Sequence, residues 1–276
     1  MIVVKIKGGI GNQMFQYAFG RMLANKYKMK MLLDITWYST GDREFVLDKL
    51  NTIYFQKIKN SLLMKLVRLI LRPKIIKEEE PFKEIEIKNG DNIILEGYWY
   101  AYTMYLDKEI KNIYREFTLR KPSEKFLKEY RRLNSKNSIS IHVRRGDILS
   151  PTNQTTVQNR NYYLEGLDII IKEAKIQKPK VTIFSDDTDW CIDNLSQIEN
   201  VEISILNSKK MTDLEELIFM SKHSYNIISS STFSWWAAIL NQNKDKIVIT
   251  PKSWCEGERE NELVLKYLVQ PSWKIV

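Results

Sequence analysis

Through the second half of the chain, short β-branched runs alternate with amphipathic segments, a pattern that predicts βαβ units around a parallel sheet. Residues 139–143, 181–184, 201–205, 226–228 and 247–249 read as strands. Between them, 162–174, 189–195, 214–220 and 234–240 carry apolar residues at helical spacing. The first half opens in the same way, with a strand over 2–6, a glycine turn, a helix over 13–27 and a strand over 31–34. It then becomes less regular until a strand at 93–96 leads into the aromatic residues Tyr98, Trp99 and Tyr100. The polar segment 133–138 immediately precedes a buried-looking strand. It therefore predicts a boundary between an N-terminal domain, 1–135, and a C-terminal domain, 136–276, two α/β domains facing each other.

Composition narrows the class. With 43% hydrophobic and 28% charged residues, the chain excludes a disordered tail, a collagen-like repeat and a disulfide scaffold. Cys191 and Cys255 are too few for a zinc site of their own and suggest a reduced, cytoplasmic setting. His142 and His223 are the only histidines, so a multi-histidine metal site is excluded. No apolar run approaches the roughly 18 residues of a membrane span, and the opening run is too short for a signal peptide.

Charge is unevenly placed. The first 138 residues hold 27 Lys and Arg against 16 Asp and Glu, whereas the remainder holds 16 against 18. Residues 57–77 carry seven basic residues and no acid, with Lys65, Arg68 and Arg72 to one side of an apolar helical pattern. This is either a helix lying on an anionic membrane surface or a solvated face over a core-packing helix. Nucleic-acid binding fits less well, because the segment interleaves its charges with Leu and Ile rather than stacking aromatics.

Four strings carry candidate chemistry. In the first, HVRRGD at 142–147, the chain leaves a strand with His142 and Arg144 on one face and Arg145 and Asp147 following, where ligands bind open parallel sheets. Guanidinium forks suit phosphate oxygens, although Arg144 and Asp147 could instead form a structural ion pair. A second string, Ser229–Ser234, places five hydroxyls around a helix start, including Ser231 and Thr232, which suits an anion more than a simple cap. Third comes FSDDTDW at 184–190. Here Asp186 and Asp187 could accept bonds from a ribose or base, Asp187 and Asp189 could hold Mg²⁺, or one acid could cap the next helix. The fourth, Gly9-x-Gly11 with Asp34 beyond it, begins like a dinucleotide fingerprint, but Met14 occupies the third glycine position and weakens an NAD-dependent oxidoreductase reading. What remains is a tight turn that presents Gly11, Asn12 and Gln13 to a ligand or merely shapes itself.

Taken in order, GGIGNQMFQYAFG, HVRRGD, Tyr162-Tyr163, FSDD and SSSTFSWWAAIL resemble the α-1,2-fucosyltransferases of glycosyltransferase family 11. The resemblance implies a GT-B-like α/β fold, two Rossmann-like domains facing across a cleft. It also implies GDP-β-L-fucose as donor, a galactose-type hydroxyl of a glycan as acceptor, and inversion without a metal or other cofactor. By the same resemblance, Arg144 binds the donor diphosphate, with Arg145 and the second catalytic candidate Asp147 in support. His142 falls near the guanine, Ser231 and Thr232 near the phosphates, and Glu216, where Asp is usual, near the base or ribose. Tyr225 and Ser230 depart from the usual His and Asn. The donor is expected on the second half, and on the first an acceptor that a lipid carrier could present at the inner membrane face.

Overall fold

The computed structural model describes residues 1–40, 43–53, 56–78, 84–88, 90–101, 106–133, 135–150, 152–206 and 211–276. They fall into two compact units, Met1–Arg120 and Lys121–Val276.

The first unit runs β1 (Ile2–Lys5), α1 (Ile10–Lys26), β2 (Met31–Asp34), β3 (Lys57–Ile58), α2 (Ser61–Leu71), β4 (Lys74–Lys77), β5 (Ile93–Glu96) and α3 (Leu106–Glu116). Its strands pair in parallel in the order β3-β2-β1-β5-β4. The two central strands, β1 and β5, are continuous apolar runs buried on both faces, as a covered parallel sheet requires. Close packing of α1 depends on Gly20, where an added Cβ would come within 2.3 Å of Val4 Cγ2. Met14 is fully buried nearby in the sequence, so the glycine that brings helix to strand lies six positions beyond the dinucleotide pattern. The segment 57–77 is not a single helix. Arg72, in a left-handed conformation, and Pro73 end α2, and residues on either side join the sheet as β3 and β4.

The second unit runs α4 (Glu124–Arg132), β6 (Ser138–Val143), α5 (Arg160–Glu173), β7 (Lys180–Ser185), α6 (Thr188–Leu195), β8 (Glu202–Leu206), α7 (Asp213–Met220), β9 (Tyr225–Ile227), α8 (Thr232–Leu240), β10 (Val248–Thr250), α9 (Glu258–Tyr267) and β11 (Lys274–Ile275). The parallel order is β11-β10-β9-β6-β7-β8, over a core that includes Ile139, Ile141, Val143, Leu167, Ile183 and Ile227. Division of the chain falls before α4 rather than at 135/136. Phe126 of α4 packs edge-on against Phe219 at 6.2 Å, and the Ser123 N–H donates to Glu215 at 2.7 Å, so this charged helix belongs to the second unit.

Chain order reverses at β6, which opens the second unit and has β7 on one side and β9 on the other. Ligand crevices form beyond the carboxyl ends of strands at such a switch point. The sequence strings at 142–147, 184–190 and 229–234 emerge from the ends of β6, β7 and β9 respectively.

Candidate functional site

Two successive arginines leave β6 with different surroundings. Arg144 Nη2 lies 2.5 Å from Asp147 Oδ1 and its Nη1 lies 2.7 Å from Asp186 Oδ2, with the side chain 30% exposed. The structural ion pair considered from spacing is therefore present, and Asp186 joins it. Two carboxylates leave a guanidinium with further N–H capacity, since it carries five donors. Arg145 is held differently: Nε pairs with Asp187 at 3.1 Å, the guanidinium sits 4.5 Å over the Trp190 ring, and the backbone N–H donates to Asp186 at 2.8 Å. Asp186 thus uses both oxygens to fix the two arginines. Asp187 caps α6 by accepting from Trp190 N–H with one oxygen while the other pairs with Arg145, which is the helix-capping alternative read from the sequence. A Cβ on Gly146 would meet Asp186 Oδ2 at 2.8 Å, which makes glycine the residue that lets this carboxylate approach.

His142 is buried, with Nδ1 2.7 Å from Ser229 Oγ and its ring 5.2 Å from Phe233. Burial, reinforced by the Arg144 charge, lowers its pKa to about 3, so the imidazole is neutral at any working pH. The hydroxyl cluster divides. Ser229 and Ser234 bond inward, and Ser230 joins Gln158 Nε2 at 2.9 Å and the Ser253 carbonyl at 3.2 Å. Ser231 is the N-cap of α8, accepting from Phe233 N–H, and together with Thr232 is only partly buried. The surplus of hydroxyls is thus largely structural, and Ser231 and Thr232 at the helix start are the more exposed of the five.

Residues 215 and 216 are likewise unequal. Glu215 completes a capping box with Thr212 and also accepts from Ser123 N–H. Glu216, one position on, is 7% exposed, and its Oε1 has no hydrogen-bond partner. Burial, with a smaller contribution from Asp213, raises its pKa to about 7. α7 follows β8, so its first turns lie on the same side of the sheet as the β6, β7 and β9 ends. Gln158 is a residue that sequence reasoning misses: its amide donates to Thr156, Ser230 and Ser253, tying the loop after β9 to the loop after β10. No local signal marks a single glutamine in a polar loop.

In the first unit, Gly11 is buried, and Asn12 Oδ1 accepts from Tyr100 hydroxyl at 2.8 Å. Gln13 is fully buried, donating to the Gly8 and Glu44 carbonyls and accepting from Val46 N–H, so it shapes the turn rather than facing a ligand. Asp34 is buried on Thr36, and its role is a local cap, not ribose binding.

A family model for glycosyl transferase family 11 matches residues 1–275. The chain belongs to that family. It is 25% identical over 279 residues to an alpha-1,2-colitosyltransferase of Escherichia coli, with 95% of this chain and 94% of the relative covered. The O-antigen biosynthesis glycosyltransferase WbnK of the same organism is 27% identical, with 94% and 97% covered. Mouse galactoside 2-alpha-L-fucosyltransferase Sec1 is 24% identical over 87% of this chain and 64% of its own. Among solved structures, the fucosyltransferase NodZ from Bradyrhizobium gives a TM-score of 0.53 at 14% identity, covering 87% of this chain and 92% of that one. Arabidopsis thaliana FUT1 in complex with GDP gives 0.51 at 11% identity, covering 90% and 69%. This family 11 glycosyltransferase therefore has the GT-B plan of two Rossmann-like units, and membership in the family sets aside the oxidoreductase and nucleic-acid readings.

Proposed function

We propose that this enzyme transfers L-fucose from GDP-β-L-fucose to the 2-hydroxyl of a terminal galactose-type residue on a glycan, inverting the anomeric centre without a metal ion. The second unit holds the donor and the first the acceptor. The observation that carries the reading is the Arg144 guanidinium at the switch point of the second sheet, on the strand beside the one that leads into α8. As the acceptor oxygen bonds to C1, the C1–O bond breaks, its electron pair leaves on the diphosphate, and the acceptor hydroxyl gives up its proton to water. Guanidinium N–H groups and the α8 N-terminus meet that charge, and such donors gain most where charge develops. Asp147 pairs with Arg144 until the diphosphate takes its place, and Asp186 fixes Arg144 and Arg145 together. Glu216, with an unpartnered buried oxygen, accepts from the guanine or ribose.

A colitosyl donor is the second reading, favoured by the relative named alpha-1,2-colitosyltransferase. Purified protein given GDP-fucose or GDP-colitose with galactose-terminated glycans, in EDTA, separates the two by product mass, and NMR of the product fixes the linkage. Arg144→Ala is expected to lower kcat roughly 10²–10³-fold with the fold intact. Near-normal turnover by that variant refutes the assignment.

A further inference from the structure

The described helices include none long and apolar enough to cross a membrane, yet α2 exposes more apolar surface than a soluble helix ordinarily does. Met64 is buried against Val3, Ile58 and Ile94, and Val67 packs on the same cluster, so this stripe is the one that faces the sheet. Leu62, Leu66 and Leu69 follow the helical repeat on the outward side at 62%, 45% and 70% exposure, joined by Leu63 and Ile70. On the adjoining edge strand β4, Ile75 is also exposed. Around these side chains, Lys59, Lys65, Arg72, Lys74 and Lys77 are exposed and pair with no carboxylate among the described residues. Arg68 alone in the helix has an acidic partner, Glu96 at 3.3 Å.

We propose that the outward face of α2, continued by β4, is a docking surface for the anionic headgroups and upper acyl region of a lipid bilayer. A helix that is apolar on both faces and fringed with lysine matches an interfacial helix, with leucines entering the acyl boundary and basic side chains meeting lipid phosphates. A second copy of this chain fits worse, because a two-fold contact through this face would set unpaired lysines of both copies against one another with no acid in 57–77 to offset them. The inference does not depend on the sugar donor. It would bring the enzyme to the surface where a lipid-linked acceptor glycan is presented.

The test is flotation of the full chain with vesicles of phosphatidylcholine alone and with phosphatidylglycerol added. Wild type should float only with the anionic vesicles, and less as salt rises. Near such a surface each basic residue strengthens binding about fivefold, so Lys59→Glu with Lys65→Glu and Lys74→Glu should lower the partition coefficient at least ~100-fold. Leu66→Ser with Leu69→Ser should lower it at least ~10-fold. The far-UV circular dichroism spectrum and the thermal unfolding midpoint should be unchanged in both variants, which shows that they fold. Absence of flotation with anionic vesicles, or variants that float as well as wild type, overturns the proposal. So does a leucine pair whose loss converts a dimer to a monomer in sedimentation while flotation stays the same.

Discussion

Glu216→Gln tests the buried carboxyl without reference to catalysis. Oε1 has no hydrogen-bond partner among the described residues, and burial raises the pKa from the ordinary carboxyl value of 4.5 to about 7. Below pH 4.5 the acid is neutral in both folded and unfolded chains and contributes no pH dependence. Between 4.5 and 7 the unfolded chain releases this proton while the folded one keeps it, so stability falls as pH rises, and above 7 the loss is complete. At about 1.4 kcal/mol per pKa unit, this amounts to about 3 kcal/mol. Glutamine has the shape of the neutral acid and never charges. The variant should therefore match wild type near pH 4.5 and exceed it by about 3 kcal/mol at pH 8, or roughly 6–12 °C in Tm. Urea and thermal unfolding at both pH values measure this directly. Equal stability at pH 8, or the same gain at both pH values, refutes the reasoning. Nucleotide binding should move the other way. Wild-type affinity for GDP should rise with pH through 7, and the variant should bind about 10- to 100-fold more weakly, the usual worth of a hydrogen bond to a charged group.

Arg145→Ala removes an ion pair and a stacked cation, which should cost about 1–2 kcal/mol and lower Tm by roughly 2–8 °C while kcat stays within about tenfold of wild type. A kcat loss like that expected for Arg144→Ala would instead put Arg145 on the donor. Asp147 is 48% exposed and pairs three residues along, whereas Asp186 is 25% exposed and also holds the Arg145 N–H. An entering diphosphate should therefore displace Asp147 and leave Asp186. By calorimetry Asp147→Asn should bind GDP as well as or up to about fivefold better than wild type, and Asp186→Asn worse; the reverse order refutes this ranking. His142 and His223 are both buried with pKa values lowered to about 3 and about 4, so acidification below 6.5 protonates them in the unfolded chain first and stability falls. In the Glu216→Gln background their protons give a slope of about 2–2.5 kcal/mol per pH unit between pH 6 and 4. Constant urea midpoints over that range refute it.

Five of the six described strands of the second unit were legible to within one residue, because each is a short β-branched run bounded by turn residues, whereas β11, two residues long, was not read as a strand. α9 buries none of its side chains and α4 only Phe126, so neither writes an apolar stripe into the sequence. The segment 57–77 misleads for the opposite reason. Leu and Ile are equally at home in α2 and in the edge strand β4, and only Pro73 separates them. In the candidate site, HVRRGD and the α8 start were visible as strings. Which hydroxyls turn inward was not, because Ser229 and Ser230 find their partners on residues as distant in sequence as His142, Gln158 and Ser253, and Ser234 then closes back on Ser229.

Arg144 with Arg145, and Glu215 with Glu216, show the same division of labour. Glu215 is occupied by Thr212 and Ser123, and Arg145 is paired with Asp187 and stacked on Trp190. Glu216 keeps an oxygen that the fold leaves unfilled, and Arg144 is the more exposed of the two arginines, 30% against 19%. A charged group near a crevice keeps its geometry only if the backbone on which it sits is fixed, and the tethered neighbour supplies that fixation one peptide away. Sequence spacing alone ranks the members of such a pair equally. Burial and bonding in the fold rank them, and for this family 11 chain the groups singled out are the Arg144 guanidinium, a helix start and one carboxyl at the carboxyl-terminal side of a single sheet. Those are the groups a nucleoside diphosphate presents chemistry for: anionic oxygens toward the first two, and N–H or hydroxyl donors toward the third.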